Sequence, residues 1–299
     1  MVVDVPRRKG GSSSRGAIGA SRESGRRRRG RVRDVRERLR RLTATRPAGG
    51  VAIRPLEGHA EYAQCVELQR LTWGARFDQV VPPTILWVAQ RTGGIASGAF
   101  SPDGRMLGFV FGVSGVEDGR PIHWSDMLAV HPDARGSGLG IALKLHQREL
   151  LLARGIEVVY WTFDPLEARN AHINFSRLGV IARRYLRDVY GETGSDLHAG
   201  IGTDRLVAEW HLRSPRVLAR VGDPAPASAG VETGAAGQVA RIAVPLDIQS
   251  LKRASPAEAA ERRRVTRAAF EDYLGRGWIV ADVERDDAEL RYLLTPTPK

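Results

Sequence analysis

The sequence predicts a mixed α/β protein, and two observations carry that prediction. From Val51 onward, short apolar runs alternate with segments of helical periodicity, in the order β-α-(α)-β-β-β-α-β-α-β-β up to about residue 213. A glycine-rich turn, Gly136-Ser137-Gly138-Leu139-Gly140, stands between one apolar run and the helical segment that follows it. A strand, a glycine turn and a helix in immediate succession are typical of proteins that bind phosphate groups.

Each element follows from its own local pattern. Runs of β-branched and aromatic residues predict the strands, and helices are predicted where apolar residues recur every three or four positions. Gly155 and Gly179 are the expected residues just beyond two of the helices. The predicted strands are residues 51–54, 85–90, 106–113, 122–130, 156–163, 181–190 and 205–212, and the predicted helices are 58–73, 140–154 and 167–178.

Composition divides the chain into four parts. Residues 1–48 hold sixteen Lys and Arg against four Asp and Glu, so the net charge of +12 resides entirely in this segment, which we expect to be a disordered basic arm. Residues 49–213 form the main domain, and 214–238, rich in Ala, Gly and Pro, form a linker. Residues 239–299 are predicted to be a small β-α-β-β subdomain packed on the main domain, with a capping box at Ser255-Pro256-Ala257-Glu258.

Several classes of protein are excluded by composition. No apolar run approaches the roughly 18 residues that span a bilayer, and a single cysteine, Cys65, is typical of a reducing compartment, so we predict a cytoplasmic protein. Nucleic acid would be contacted only through residues 1–48, because the remainder carries thirty charges of each sign. His123 and His131 lack metal-ligand spacing, so no metal is predicted.

The glycine turn does not fit the common nucleotide motifs. Ile141 stands where the dinucleotide fingerprint Gly-x-Gly-x-x-Gly requires its third glycine, and no Gly-Lys-Ser/Thr triplet follows for a Walker loop. The pattern Arg135-x-x-Gly138-x-Gly140, placed after the apolar run 127–132, instead resembles the acetyl-coenzyme A pyrophosphate loop of the GNAT superfamily of N-acetyltransferases.

This resemblance implies both a fold and a set of binding residues. The fold would be a central mixed, mainly antiparallel sheet flanked by helices. The cosubstrate would be acetyl-coenzyme A, held by backbone groups of the strand, by the glycine turn and by the second helix of the motif. Carried over by position, the binding residues are Leu128, Ala129, Val130, Arg135, Gly136, Ser137, Gly138, Leu139, Gly140 and Ile141. Two more are added from the second helix: Asn170, which sits two positions later than the family's asparagine, and Phe175, which would pack on the cofactor.

The implied chemistry is transfer of an acetyl group to a primary amine, by direct attack through a tetrahedral intermediate. The N–H of Leu128 is the expected oxyanion donor. Asp126 is the first candidate for the general base, although a structural carboxylate or a binder of the substrate ammonium has the same pattern. Asp164 and His131 are secondary candidates, and His123 lies on the same strand as Asp126.

The resemblance has one conspicuous gap. The family's general acid, a Tyr four residues before the glycine that ends the second helix, corresponds here to Phe175. Either Tyr185 or Tyr190 replaces it, or the thiolate departs without a protein acid. Three hypotheses therefore stand: an N-acetyltransferase for a small-molecule or peptide amine, a catalytically silent acyl-coenzyme A sensor, or a nucleic-acid-associated protein acting through its basic arm. The sequence specifies neither the acceptor nor an oligomeric state.

Overall fold

A ten-stranded sheet runs through the residues that the structure, a computed structural model, describes: 50–191, 194–195, 200–222 and 238–297. Its strands are β1 (Ala52–Pro55), β2 (Ile95–Phe100), β3 (Met106–Glu117), β4 (Arg120–Val130), β5 (Val158–Phe163), β6 (Ile181–Leu186), β7 (Arg205–His211), β8 (Ala240–Pro245), β9 (Trp278–Arg285) and β10 (Glu289–Pro296). The helices are α1 (Gly58–Trp73), α2 (Pro83–Arg91), α3 (Leu139–Leu152), α4 (Ala168–His172), α5 (Pro215–Gly222), α6 (Ile248–Ala254) and α7 (Pro256–Gly275). A 3-10 turn, Pro132–Ala134, and a π turn, Ile173–Arg177, complete the described elements.

The strands lie in the order β1-β2-β3-β4-β5-β7-β6-β9-β10-β8. Every neighbouring pair is antiparallel except β4 and β5, which run parallel. The predicted fold class, a mixed and mainly antiparallel sheet flanked by helices, is confirmed.

The parallel pair is short, and this creates the main irregularity of the sheet. β4 pairs with β5 only at His123↔Val159 and Trp124↔Tyr160. Beyond Trp124 the two strands separate, so the remaining residues of β4 have no strand partner on that side. A gap therefore opens in the middle of the sheet, and the glycine turn lies at the end of the strand that borders it.

A bulge in β4 stands at the point where the gap begins. The register between β3 and β4 shifts between Phe111 and Val113, so that Gly112 faces both Ser125 and Asp126. A side chain at Gly112 would collide with the backbone of Ser125, which explains the glycine. The extra residue in β4 allows Ser125 and Asp126 both to lie beside the gap.

One predicted strand is wrong, and a real strand was not predicted. Residues 85–90 belong to helix α2, in which Leu86 and Ala89 are buried while Trp87 is exposed. A short apolar run does not distinguish strand from buried helix, and Pro83 at the start of the helix is the deciding signal. The strand at this point is β2, whose small residues resemble a turn in sequence; all six of its residues are buried.

Helices pack on both faces of the sheet. Phe109 and Phe111 of β3 belong to a core cluster with α1 and α2. Gly108 directly precedes Phe109 on β3, and a Cβ added at Gly108 would touch Leu139 and Leu143 of α3. Because neighbouring residues of a strand face opposite sides, α1 and α2 cover one face and α3 the other.

The C-terminal residues extend the same sheet. β9 joins β6 through the pair Ala182↔Val280, and β10 and β8 follow outward. Two helices, α6 and α7, stand where one was predicted, with Pro256 in the first turn of α7. The capping box predicted at Ser255 is wrong, because its side chain makes no capping hydrogen bond. Part of the predicted linker, Pro215–Gly222, forms helix α5; residues 223–237 lie outside the described residues.

Candidate active site

The glycine loop, which we define as Arg135–Ile141, connects the end of β4 to the start of α3. Gly136 and Gly138 have φ angles of +84° and +83°, a conformation that residues with side chains rarely adopt. A Cβ at either position would meet no atom within 4 Å, so the space beside the loop is open. α3 begins directly after Gly138, and the first N–H groups of a helix have no partner within it. This arrangement fits a diphosphate group.

The polar side chains of the glycine loop are occupied in holding it. Arg135 Nε donates to the carbonyl oxygen of Val130 at 3.3 Å, and Ser137 Oγ donates to the carbonyl oxygen of Ala134 at 2.7 Å. A ligand at the loop would therefore meet mainly backbone N–H groups, because these two side chains already bond within the loop.

The backbone of β4 alternates between its neighbour and the gap. The N–H of His131 donates to the carbonyl oxygen of Leu107 on the β3 side at 2.8 Å. Because alternate residues of an antiparallel strand point their backbone groups to the same side, Ala129 also points towards β3, whereas Leu128 and Val130 point into the gap. Of the three backbone positions predicted to contact the cosubstrate, two thus have backbone groups directed into the gap.

A cavity of about 490 Å³ occupies the gap. One end reaches Gly140 at the start of α3, and the other reaches Trp73, the last residue of α1, and Phe77 just after it. Residues of β4 and α3 line one wall, and residues of β5, α4 and β7 line the other. The cavity therefore connects the glycine loop with the opposite face of the sheet.

Asp126 lies at this cavity with its carboxylate open to it. Within the described residues it has no ion-pair or hydrogen-bond partner, and the surrounding protein raises its pKa by desolvation. His123, three residues before Asp126 on β4, is fully buried, and burial lowers its pKa to about 3. A histidine that stays neutral in this way is a poor base, so Asp126 is the better placed of the two.

Asp164 also lines the cavity, but its oxygens are engaged. Oδ1 accepts from the N–H of Leu166 at 2.8 Å, and Oδ2 accepts from Arg263 Nη2 at 2.6 Å. Arg205 Nη1 stands 3.7 Å from the same Oδ2. These contacts favour a structural role for this carboxylate.

Of the two candidate tyrosines, only Tyr190 lines the cavity. Its hydroxyl lies 2.6 Å from Thr162 Oγ1. Tyr185 stacks on Phe270 and donates to Asp204 Oδ2 at 2.6 Å, and the structure does not bring it to the cavity wall. Burial raises the pKa of Tyr185, which further opposes an acid–base role.

Phe175 belongs to the core instead of the cavity. It is fully buried and packs edge-on against Phe163 and Tyr292. The π turn Ile173–Arg177 changes the helical register at this point, and Asn170 and Asn174 face the cavity. Asn174 was not predicted as a site residue, since an ordinary helix was assumed there.

Lys144 is the cavity residue that sequence reasoning missed. It lies on α3, is nearly fully buried, and donates from Nζ to Ser125 Oγ at 2.8 Å and to Gln147 Oε1 at 3.4 Å. The Nζ atom also stands 3.8 Å from the centre of the Trp161 ring. Desolvation lowers the pKa of Lys144 to about 7. The sequence does contain a signal for this residue: only four of the 46 basic residues are lysines, and Lys144 directly follows Leu143 within an apolar helical segment.

The described residues also differ from what a membrane-spanning helix and a metal site require. In the ranges given above, no helix is both long and apolar enough to cross a membrane. Nor do His, Cys, Asp and Glu side chains gather there in threes as metal ligands would. The basic segment 1–48, with the nucleic-acid contact predicted for it, lies outside the described residues.

No protein-family model matches the sequence, and no curated protein matches it significantly. Among solved structures, the ribosomal-protein-S18-alanine N-acetyltransferase from Escherichia coli aligns with 54% of this chain and 94% of its own, at 18% identity and a TM-score of 0.42. Naa50 from Arabidopsis thaliana, solved with a bisubstrate analogue, aligns with 54% of this chain and 97% of its own, at 13% identity and a TM-score of 0.42. The putative acetyltransferase yncA from Salmonella typhimurium, solved with acetyl-CoA, aligns with 55% of this chain and 95% of its own, at 18% identity and a TM-score of 0.43.

The mixed, mainly antiparallel sheet, the gap between β4 and β5, and the glycine loop agree with the fold that the resemblance to the GNAT superfamily implies.

Proposed function

We propose that this protein is an acetyl-coenzyme A dependent N-acetyltransferase that acts on the primary amine of a small molecule or peptide. One observation carries the proposal: a single cavity joins the glycine loop to the gap between β4 and β5 and to Asp126. A thioester whose diphosphate bound at the loop would need such a passage to bring its acyl group to an amine.

Each part of the reaction has a candidate group in this chain. The N–H groups of the glycine loop would hold the diphosphate. The N–H of Leu128, directed into the gap, would stabilise the oxyanion that develops on the acyl carbon. Asp126 would accept a proton from the substrate ammonium and so leave a neutral amine to attack, because its carboxylate is open to the cavity and has no partner among the described residues.

The proposal is tested by two measurements on the full chain. Calorimetry with acetyl-coenzyme A should detect binding with one site per chain, and a panel of small and peptide amines should release free coenzyme A in the presence of the protein. Absence of acetyl-coenzyme A binding at saturating ligand would reject the proposal.

A second candidate function is a silent acyl-coenzyme A sensor, favoured by the burial of Phe175 in the place of the family's acid. Both functions predict binding, so coenzyme A release separates them. A sensor would bind acetyl-coenzyme A and release no coenzyme A with any acceptor in the panel.

A further inference from the structure

The cavity lacks the tyrosine acid that the resemblance would supply, and this raises the question of which group meets the departing sulfur. Phe175 has no ionisable group and is fully buried. Tyr185 is committed to Asp204 and does not line the cavity. Lys144 also lines the cavity and carries a transferable proton. It lies on α3, the helix that begins at the glycine loop.

Lys144 is held in position by its surroundings. Two of its three N–H groups have acceptors, Ser125 Oγ and Gln147 Oε1, and the Trp161 ring packs against it. The Ser125 partner comes from the bulge in β4, three residues before Leu128. The amine is thereby fixed at the cavity wall, beside the strand that carries the proposed oxyanion donor.

No carboxylate is hydrogen bonded to Lys144 in the described residues. The charged and titratable groups around it are His123, reached through Gln147 on the α3 side, and Asp126, Asp164, Glu167, Tyr190 and Arg205, which share the cavity. A buried ammonium without a counterion is costly unless a ligand supplies the negative charge. In a chain that uses arginine for 42 of its 46 basic residues, a lysine here provides a group that can lose its proton, which arginine cannot.

We propose that Lys144 is the general acid of the acetyl transfer, donating a proton from Nζ to the sulfur of coenzyme A as it leaves. This inference rests on the function proposed above. The amine lone pair forms the new C–N bond, the C–S bond breaks, and its electron pair goes to sulfur, which takes the proton of Lys144 to become a thiol. Asp126 passes the proton taken from the substrate ammonium to solvent, then takes the second proton that the nitrogen loses as it becomes an amide and releases that to solvent as well. The neutral Lys144 regains a proton from solvent.

The product complex provides a test that does not depend on turnover. Ultraviolet absorbance reports the thiolate of bound coenzyme A, and acetyl-coenzyme A, which has no free thiol, gives the baseline. Because a thiolate and the Lys144 ammonium stabilise each other, the thiolate of bound coenzyme A should appear at a pH about one unit or more below the ordinary thiol pKa of about 8.5. Lys144→Met should abolish that shift, and Lys144→Arg, which keeps the charge, should restore it.

The matched control is Tyr190→Phe, which removes the competing hydroxyl in the same cavity and should leave the thiol pKa of bound coenzyme A unchanged. An equal thiol pKa in the native protein and in Lys144→Met would overturn the inference, and so would a shift that disappears in Tyr190→Phe. If the native protein does not bind coenzyme A at all, the proposed function fails first, so the two failures are distinguishable.

Turnover gives a second readout whose sign separates an acid from a base. As an acid, Lys144 must be protonated, so kcat should fall as pH rises through the pKa of about 7. Lys144→Met should lower kcat on the order of 100-fold and remove this alkaline limb. Lys144→Arg, whose guanidinium keeps its proton at these pH values, should be as slow as Lys144→Met and should also lack the limb. A native rate that increases through pH 7 and loses this rise in Lys144→Met would make Lys144 a base and overturn the inference.

Discussion

Arg263 of α7 donates a hydrogen bond to the carboxylate of Asp164 at the cavity wall, with 2.6 Å between Nη2 and Oδ2. Both side chains are largely buried, at 4% and 13% exposure. The same guanidinium donates from Nε to the carbonyl oxygen of Ile201 at 3.1 Å. Tyr292 of β10 adds a hydrogen bond to the carbonyl oxygen of Pro165 at 2.7 Å. The C-terminal helix and strand thus fix one wall of the proposed active site.

Replacement of this arginine should therefore destabilise the protein. Arg263→Met leaves the buried Asp164 carboxylate with Arg205, at 3.7 Å, as its remaining ion-pair partner among the described residues, and we expect the free energy of unfolding to fall by about 3 kcal/mol, as for other broken buried pairs. Urea denaturation measures the change. Arg264→Met, which breaks an exposed pair with Glu261 on the same helix, is the control and should have little effect. Equal changes in the two variants would contradict a structural role for Arg263.

The glycine loop gives a prediction about affinity. Gly138→Asp would bring a side chain and a negative charge beside the N–H groups proposed to bind a diphosphate. Like-charge repulsion of about 3 kcal/mol corresponds to acetyl-coenzyme A binding that is weaker by about 100-fold, which calorimetry can measure.

Gly104→Asp is the matched control for this substitution. Gly104 has a φ of +84°, close to the +83° of Gly138, and also faces open space, but it lies in the turn between β2 and β3. Both substitutions therefore place an aspartate at nearly the same positive φ. Unchanged affinity in Gly138→Asp, or an equal loss in Gly104→Asp, would argue against the loop as the binding site.

The sequence predicts the part of the site that depends on local backbone geometry. The glycine loop needs glycines at positive φ next to a helix start, and this requirement is visible in the residues Gly136 and Gly138 themselves. The β3–β4 hairpin is local in the same way, since its turn consists of Asp118 and Gly119, both at positive φ.

The sequence does not predict what depends on contacts between distant elements. Lys144 becomes a cavity residue because the bulge at Gly112 brings Ser125 opposite α3. Asp164 looks like a free carboxylate in sequence, and its partner Arg263 is 99 residues away. The π turn that turns Asn174 towards the cavity also has no local signature. The prediction of a strand at helix α2 is wrong for the same reason: its short apolar run fits either element, and the packing of Leu86 and Ala89 in the core selects the helix.

Asp126→Asn tests the proposed base. Desolvation raises the pKa of Asp126 above its usual value, and a base acts only when ionised, so kcat/KM should rise with pH as this carboxyl loses its proton. The asparagine variant should lose that acidic limb and lower kcat by about 100-fold. Its affinity for acetyl-coenzyme A, measured by calorimetry, should remain within about twofold. An unchanged pH–rate profile would remove Asp126 from this role.

Lys144→Met should make the protein more stable at neutral pH. Burial holds the pKa of Lys144 at about 7, whereas a lysine in the unfolded chain titrates near about 10.4. Between these two pH values the unfolded chain binds more protons, so the native protein gains stability as pH rises from 7 and carries the full penalty of the buried charge below it. Removing the amine should raise the free energy of unfolding at pH 7 on the order of 3 kcal/mol, with a smaller gain at pH 10.

Urea denaturation at both pH values measures this difference. Arg253→Met, at an exposed position of helix α6, is the control; it removes a charge that does not titrate in this range, so it should change the free energy of unfolding by the same amount at pH 7 and pH 10. A gain for Lys144→Met that is equal at the two pH values would mean that the buried amine does not titrate between them. A gain that shrinks as predicted, together with loss of the coenzyme A thiol shift in the same variant, would mean that a destabilising charge is retained at this site for its chemistry.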